Sequence, residues 1–565
     1  MSRRSWVSPG VAYLIHGLLS IVFPAASSVI IVVRLASLEG FRVSPWLMSA
    51  MVLSAAPLGF AAYVLADGRL QQRKADRLGA RLIPRVQGKW PGNLDKIVNT
   101  VLRSENEYLG TILGPTINSR LLWEDIILTT EPQHIKTILA TDFDNYVKGV
   151  HHRCSADSVL GTGVFNSDGK LHRTMTRPFF THDRISHFEI FDRHADHAIA
   201  LAKERFRMGV AIDFQFLFGH CIDTLSAELP YPCHATESTD AIQEANTAAA
   251  FANAFSQAQH VINRRVSIGQ TWPLAEILAD STAQHMKVVH AFLDPILKEA
   301  LEKRSTTAEL DRTEFADQTL LDHLVNATSD FKIIKDEILN MLLAGRDTTA
   351  STLTSAIYLL AMHPEFLMRL REEIVSKFGL TRRPTYDDIK EMKYLRAVLN
   401  ETMRLFPAVE SVHDTTWTSP EPGKKPLFVP GGISISYSVF LMHRRTDLWG
   451  PDALEFDPDR WLDERVNKYL IPNPYIFLPF NAGPRICLGQ QFAYNEMSFM
   501  LIRLLQNFSA ITLSPEPAMC PPAWWAGKDG RQAIEQFRPQ NHLTLYAKAR
   551  LNLMCYAIIS LGSTS

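Results

Sequence analysis

Two stretches near the N-terminus, Val11 to Val33 and Pro45 to Ala66, contain no Asp, Glu, Lys or Arg. Each has about the length an α-helix needs to cross the hydrocarbon core of a bilayer. At that depth every backbone polar group must find its partner inside the segment, so both stretches are constrained to be helical. The short connection from Arg34 to Ser44 makes the pair a hairpin. Arg3 and Arg4 precede it, and Arg69, Arg73, Lys74, Arg77, Arg81, Arg85 and Lys89 follow it. This distribution of positive charge predicts both ends on the cytosolic side and the connection on the lumenal side. A cleaved signal peptide with FPAASS as its processing site, or one span plus one interfacial helix, are the alternatives, since Pro24 and Pro57 interrupt the segments.

The rest of the chain is balanced in charge, with a formal net charge of −1 over 565 residues. Neither a basic stripe nor a zinc-finger pattern is present, so a nucleic-acid partner is not expected. The spacing of the two apolar stretches predicts a membrane anchor over 1–68. A basic, proline-containing linker follows over 69–95, where two X-Pro steps favour an extended chain. Long helix-patterned runs with few strand-like pieces then predict one mainly α domain with small β-sheets over 96–548. A tail over 549–565 includes the apolar run Leu551 to Leu561, which is too short to span a bilayer.

The six cysteines, Cys154, Cys221, Cys233, Cys487, Cys520 and Cys555, show no CxxC spacing, which fits a reducing compartment. One lies in the loop Phe480-Asn481-Ala482-Gly483-Pro484-Arg485-Ile486-Cys487-Leu488-Gly489. Behind it, Phe492, Phe499, Leu504 and Phe508 give the next segment an apolar helical face. Unpaired N–H groups and the dipole at a helix N-terminus favour thiolate over thiol. Gly483 and Gly489 permit close approach of the backbone to a flat object, and Arg485 offers a planar donor fork for a carboxylate. Together these describe a proximal haem-ligand loop, in which sulfur donates electron density to iron and favours O–O cleavage. For Cys487 taken alone, an inert buried cysteine is the ordinary alternative.

Three further segments follow the same logic. Ala344-Gly345-Arg346-Asp347-Thr348-Thr349 lies inside the helix-patterned run Phe331 to Met362. Glycine inside a helix costs about 1 kcal/mol relative to alanine, and a groove for dioxygen is one reason to keep it. Thr348 either points at bound oxygen or bonds back to the Ala344 carbonyl, and Asp347 either relays protons or is simply solvated. Glu401-Thr402-Met403-Arg404 places Glu401 and Arg404 on one side of a helix. That spacing recurs at Glu39/Arg42 and Glu309/Arg312, so the weight rests on the context ETMRLFP and on Phe456-Asp457-Pro458-Asp459-Arg460-Trp461.

The pattern F-x-x-G-x-R-x-C-x-G, with these segments in this order, resembles the cytochrome P450 family. The resemblance implies a cytochrome P450 fold behind the anchor and haem (iron-protoporphyrin IX) as cofactor. Cys487 is then the axial iron ligand, with Phe480 packed beside the sulfur and Gly483 in its loop. Arg485 and Arg173 hold haem propionates, Thr348 and Asp347 manage protons, and Glu401, Arg404 and Arg460 form a buried network with a structural role. Asp168-Gly169, His172 to Phe180 and Met442-His443-Arg444-Arg445 resemble fungal membrane-bound members related to alkane and fatty-acid hydroxylases. Two departures concern haem anchoring. Gly169 stands where relatives carry a Trp four residues before the arginine matching Arg173, and the chain passes from Val409 directly to Glu410-Ser411-Val412-His413 without an N-x-R segment.

By this resemblance the chain is a monooxygenase that hydroxylates a lipophilic small molecule of the fatty-acid, alkane, aromatic-hydrocarbon or terpenoid class. Its electrons would come from NADPH-cytochrome P450 reductase, because the sequence holds no Rossmann fingerprint. Its expected place is the endoplasmic reticulum membrane with the catalytic domain cytosolic. Two alternatives remain at this point: a haem-binding but catalytically impaired protein, and a haem-thiolate isomerase or dehydratase that needs no external electrons.

Overall fold

A computed structural model describes residues 8–96, 114–167, 176–177, 180, 188–214, 217–218, 239–307, 320–408, 411–412, 417, 423–513, 525–528, 530–536, 539–541, 545–547 and 552–557. The described residues fall into two units. One comprises 1–129, 264–284 and 413–436; the other comprises 130–263, 285–412 and 437–565.

In the first unit both apolar stretches are helical, over Pro9–Leu38 and Pro45–Arg77, and they pack on each other across the turn that Ser44 caps. Pro24 lies just past the π turn Leu18–Val22, where the hydrogen-bond ladder is already disturbed, and Pro57 is accommodated inside the second helix. Large side chains such as Leu19, Phe23, Val32, Leu53, Leu58 and Tyr63 are exposed, and both helices are long and apolar enough to cross a membrane. Gly10 makes the start of the first helix fit the segment 269–277, because a Cβ there would come within 2.5 Å of the Pro273 carbonyl oxygen.

The stretch expected as an extended linker is largely built into this unit. Its first third is the polar end of the second helix, which runs to Arg77. Gln71 donates to Asp67 and to Asp125, at 3.0 and 2.8 Å, and accepts from Arg85 at 2.8 Å. Arg81–Leu82 pairs in parallel with Leu427–Phe428, and Ile83 and Val86 are buried. Proline content predicts an extended linker; the buried apolar residues Ala80, Ile83 and Val86, three apart, hold the stretch within this unit.

The second unit is mainly helical, and its largest core cluster among the described residues gathers several helices. The run 331–362 supplies Leu353, Ile357 and Leu360, and Lys393–Leu405 supplies Leu395, Val398 and Leu399. Gln490–Asn507 supplies Met497, Leu501 and Leu505. Asp336 and Asn340 fix the entry of the 331–362 run to the turn after Gly149–Leu160: Asp336 accepts from the Thr162 N–H at 2.8 Å, and Asn340 accepts from the Phe165 N–H at 2.9 Å. The apolar run in the tail contains a strand, Asn552–Ala557. It is the centre of a three-stranded antiparallel sheet, between Ile212–Asp213 and Phe508–Leu513.

Candidate active site

The run 331–362 is not one regular helix. Between Phe331–Leu342 and Thr348–Met362, residues Leu343–Asp347 form a π turn that contains Ala344 and Gly345. A π turn widens the helix and disturbs its hydrogen-bond ladder, a distortion frequent at functional sites. The Thr348 hydroxyl donates to the Ala344 carbonyl at 2.5 Å, so the second of its two possible occupations is the one observed. Its oxygen keeps lone pairs that can accept a hydrogen bond. Asp347 lies next to Arg346, with Nε and Oδ1 3.8 Å apart, and its Oδ2 is sealed from solvent with no hydrogen-bond partner among the described residues.

The cysteine loop is closed by a backbone bond from the Cys487 N–H to the Phe480 carbonyl, at 2.9 Å. Two positive-φ residues make the reversal, Asn481 (φ 64°) and Gly483 (φ 59°). Asn481 is held by the Tyr437 hydroxyl at 2.6 Å. Gly483 has no room for a side chain, since a Cβ would lie 2.0 Å from the Leu139 carbonyl oxygen. Arg485 donates to the Tyr146 carbonyl at 3.2 Å and stacks over Phe143. The helix after the loop begins at Gln490 with Gly489 as its cap, which leaves Cys487 two residues before the cap, within reach of the helix's positive end. Cys487 is exposed, so it is not the inert core cysteine. Phe480 is half-buried and its ring lies 5.1 Å from that of Tyr494.

A second cluster of the site is a charge network with almost no solvent contact. Glu401 and Arg404 are 0% exposed and Arg460 is 1% exposed. Arg404 grips Glu401 with two bonds of 2.8 Å, and Arg460 Nε lies 3.3 Å from the same carboxylate. The Asp457 N–H and the Trp461 indole complete the carboxylate's shell, at 3.1 and 3.0 Å. Burial on its own would raise the Glu401 pKa, but Arg404 and Arg460 hold it below the ordinary value. The remaining Arg404 donors go to the carbonyls of His443, Ala453 and Glu455. Trp461 and Phe477 carry the network to the loop, their rings 4.5 Å apart.

The structure thus brings Glu401, Arg404 and Arg460 into one cluster, Phe480, Gly483, Arg485 and Cys487 into one loop, and Asp347 and Thr348 to one distorted turn. Arg173 and Gly169 lie outside the described residues, as do Val409, Glu410 and His413 beside the second departure. Sequence reasoning gave no role to two groups. Glu496 is buried on the helix behind the loop, and His443 joins the charge network to Leu478. In the sequence Glu496 sits among apolar neighbours on the core face of that helix, which was the available signal.

The donor set fits haem: an exposed cysteine near a helix's positive end, a guanidinium beside it, and a widened helix with an acid and an alcohol. A mainly helical unit with these features is what a haem-thiolate protein requires. The family profile of cytochrome P450 matches residues 91–524, and the chain belongs to that family. It is 36% identical over 412 residues to cytochrome P450 52E1 of Candida apicola, covering 68% of this chain and 76% of the relative. Over 427 residues it is 33% identical to cytochrome P450 52A5 of Candida maltosa, covering 71% and 78%, and over 424 residues it is 34% identical to cytochrome P450 52-M1 of Starmerella bombicola, covering 69% and 76%. Membership makes the protein a haem-dependent monooxygenase.

Proposed function

We propose that the protein hydroxylates an apolar substrate of the fatty-acid or alkane class, with aromatic hydrocarbons and terpenoids as the neighbouring classes. Cys487 would hold the haem iron through its thiolate, and the observation that carries this is its exposure on a loop closed by its own N–H and headed toward a helix N-terminus. Arg485 and Arg173 would hold the propionates. When bound, haem supplies the activation of dioxygen, with one oxygen atom going to substrate and the other to water. The chain's own residues supply protons and exclude water. Asp347, with one sealed oxygen, is the residue we assign to proton relay at the π turn, and the Thr348 hydroxyl donates to the Ala344 carbonyl while its oxygen lone pairs can accept a hydrogen bond.

The two apolar helices of 30 and 33 residues support membrane anchoring, and the charge distribution supports a cytosolic catalytic domain on the endoplasmic reticulum. Electrons then arrive from NADPH-cytochrome P450 reductase, which shares that membrane. The test is the carbon-monoxide difference spectrum of the reduced protein. A thiolate-type Soret band that disappears in Cys487→Ala is the expected result, and an imidazole-type band in the native chain would overturn the assignment. Oxidation of fatty acids or alkanes with reductase and NADPH then separates a working monooxygenase from an impaired haem binder.

A further inference from the structure

His443 is fully buried at the end of the short helix Val439–Met442. Its Nδ1 lies 3.1 Å from the Arg404 carbonyl, which can only accept, so Nδ1 carries the proton. Nε2 is then an acceptor, and it receives the Leu478 N–H at 3.0 Å. The bond is returned, because Arg404 Nη1 donates to the His443 carbonyl at 2.7 Å. Leu478 is itself buried and is followed by Pro479, which has no N–H. The Leu478 amide is therefore the last backbone donor before Phe480, the residue whose carbonyl closes the cysteine loop. Phe477 and Trp449 wall the imidazole, with ring centroids 5.3 and 6.4 Å away. Burial, reinforced by the Arg404 charge, pushes the His443 pKa down to about 3, so the neutral tautomer persists across the physiological range.

We propose that His443 is a positioning residue for the cysteine loop: its imidazole bolts Leu478, and through it the Phe480–Cys487 closure, to the Glu401–Arg404–Arg460 network. The inference rests on the reading of Cys487 as the haem ligand. Histidine suits the place because its two nitrogens reach in different directions with opposite roles. Glutamine would keep an acceptor near the Nε2 position, asparagine a donor near the Nδ1 position, and phenylalanine the ring alone.

The test compares His443→Gln, His443→Asn and His443→Phe in the haem-loaded full chain. The first readout is hydrogen–deuterium exchange of the Leu478 amide, and the second is the rate at which the reduced carbon-monoxide complex loses its thiolate-type band. We expect His443→Gln to stay close to the native chain in both. In His443→Asn and His443→Phe the Leu478 amide is left buried without an acceptor, so exchange and band loss accelerate about tenfold or more. Native behaviour of His443→Asn, or equal damage in His443→Gln and His443→Asn, overturns the proposal. A native chain that never shows the thiolate-type band instead defeats the reading of Cys487 on which it stands.

Discussion

Two buried ionisable groups move with pH in opposite directions, and both belong to the scaffold behind the cysteine loop. Glu496 is 1% exposed, and burial drives its pKa up to about 8 against the opposing influence of the Thr349 hydroxyl. A carboxyl with a raised folded pKa is protonated in the native state while the unfolded chain has already ionised. Stability therefore falls as pH rises from the unfolded value near 4.5 through about 8. Glu496→Gln should flatten that decline and gain stability at pH 8, which thermal melts at pH 5 and 8 check; a parallel decline in both proteins contradicts it. His443 has its pKa lowered, so its contribution is full above the unfolded value of 6.5 and is lost as pH falls toward about 3. Glu401 offers a third case, through its partners. Glu401→Gln leaves Arg404 and Arg460 buried without their shared countercharge, and loss of one member of a buried pair costs about 3–5 kcal/mol, readable as a lower urea midpoint. Glu401, Arg404 and Cys487 were legible because their spacing and context repeat a pattern tied to chemistry. Glu496 and His443 were not, because what singles them out is the loss of water around them, and that exists only after packing.

Local signals fixed the helices well where an apolar face and a cap coincide, as at Asp330, which caps Phe331–Leu342 through bonds to the Lys332 and Ile333 amides. The π turn at Leu343–Asp347 left only a trace in the sequence, the glycine of AGRDTT, because a change of hydrogen-bond partner from i−4 to i−5 is not written in periodicity. Strands proved least readable. The run Leu551 to Leu561 reads as an isolated apolar patch until Asn552–Ala557 is set against Phe508–Leu513, more than thirty residues away. Pairing between distant segments decides such strands, and no local window contains it. Since Asn552–Ala557 is the central strand of its sheet, removing residues 549–565 strips partners from both neighbours and leaves Phe508–Leu513 without its partner strand. The shortened chain is expected to aggregate during expression and to melt at a lower temperature, as size-exclusion chromatography and thermal melts will show; a monodisperse product with native melting would rule out a role for this strand.

At the scale of the molecule, the second membrane-length helix is joined to the rest of the first unit by side chains as well as by the chain. The second helix outlasts its apolar part, and its polar extension delivers Asp67 and Gln71 to a cluster with Arg85, Asn118, Arg120 and Asp125. Asp125 is 5% exposed and takes bonds from both Gln71 and Asn118, at 2.8 Å each. The sequence reading placed the end of the anchor by where apolar residues stop, near 68, and could not see that the helix continues as a foundation. This separates two ways of removing the anchor that differ by only a dozen residues. A chain begun at residue 67 loses both apolar stretches yet keeps the Gln71 bonds. A chain begun at residue 79 also loses those bonds and the packing of Ala75 with Ala80 and Phe428. Bonds to charged groups contribute about 1.5–3 kcal/mol each, so the shorter chain should melt roughly 2–5 °C lower than the longer one. Both should partition to the supernatant on high-speed centrifugation without detergent, whereas the full chain sediments with membranes. Equal melting temperatures would mean that the helix extension only spaces the catalytic domain from the bilayer; full sedimentation of the chain begun at 67 would mean that membrane binding extends beyond the two helices.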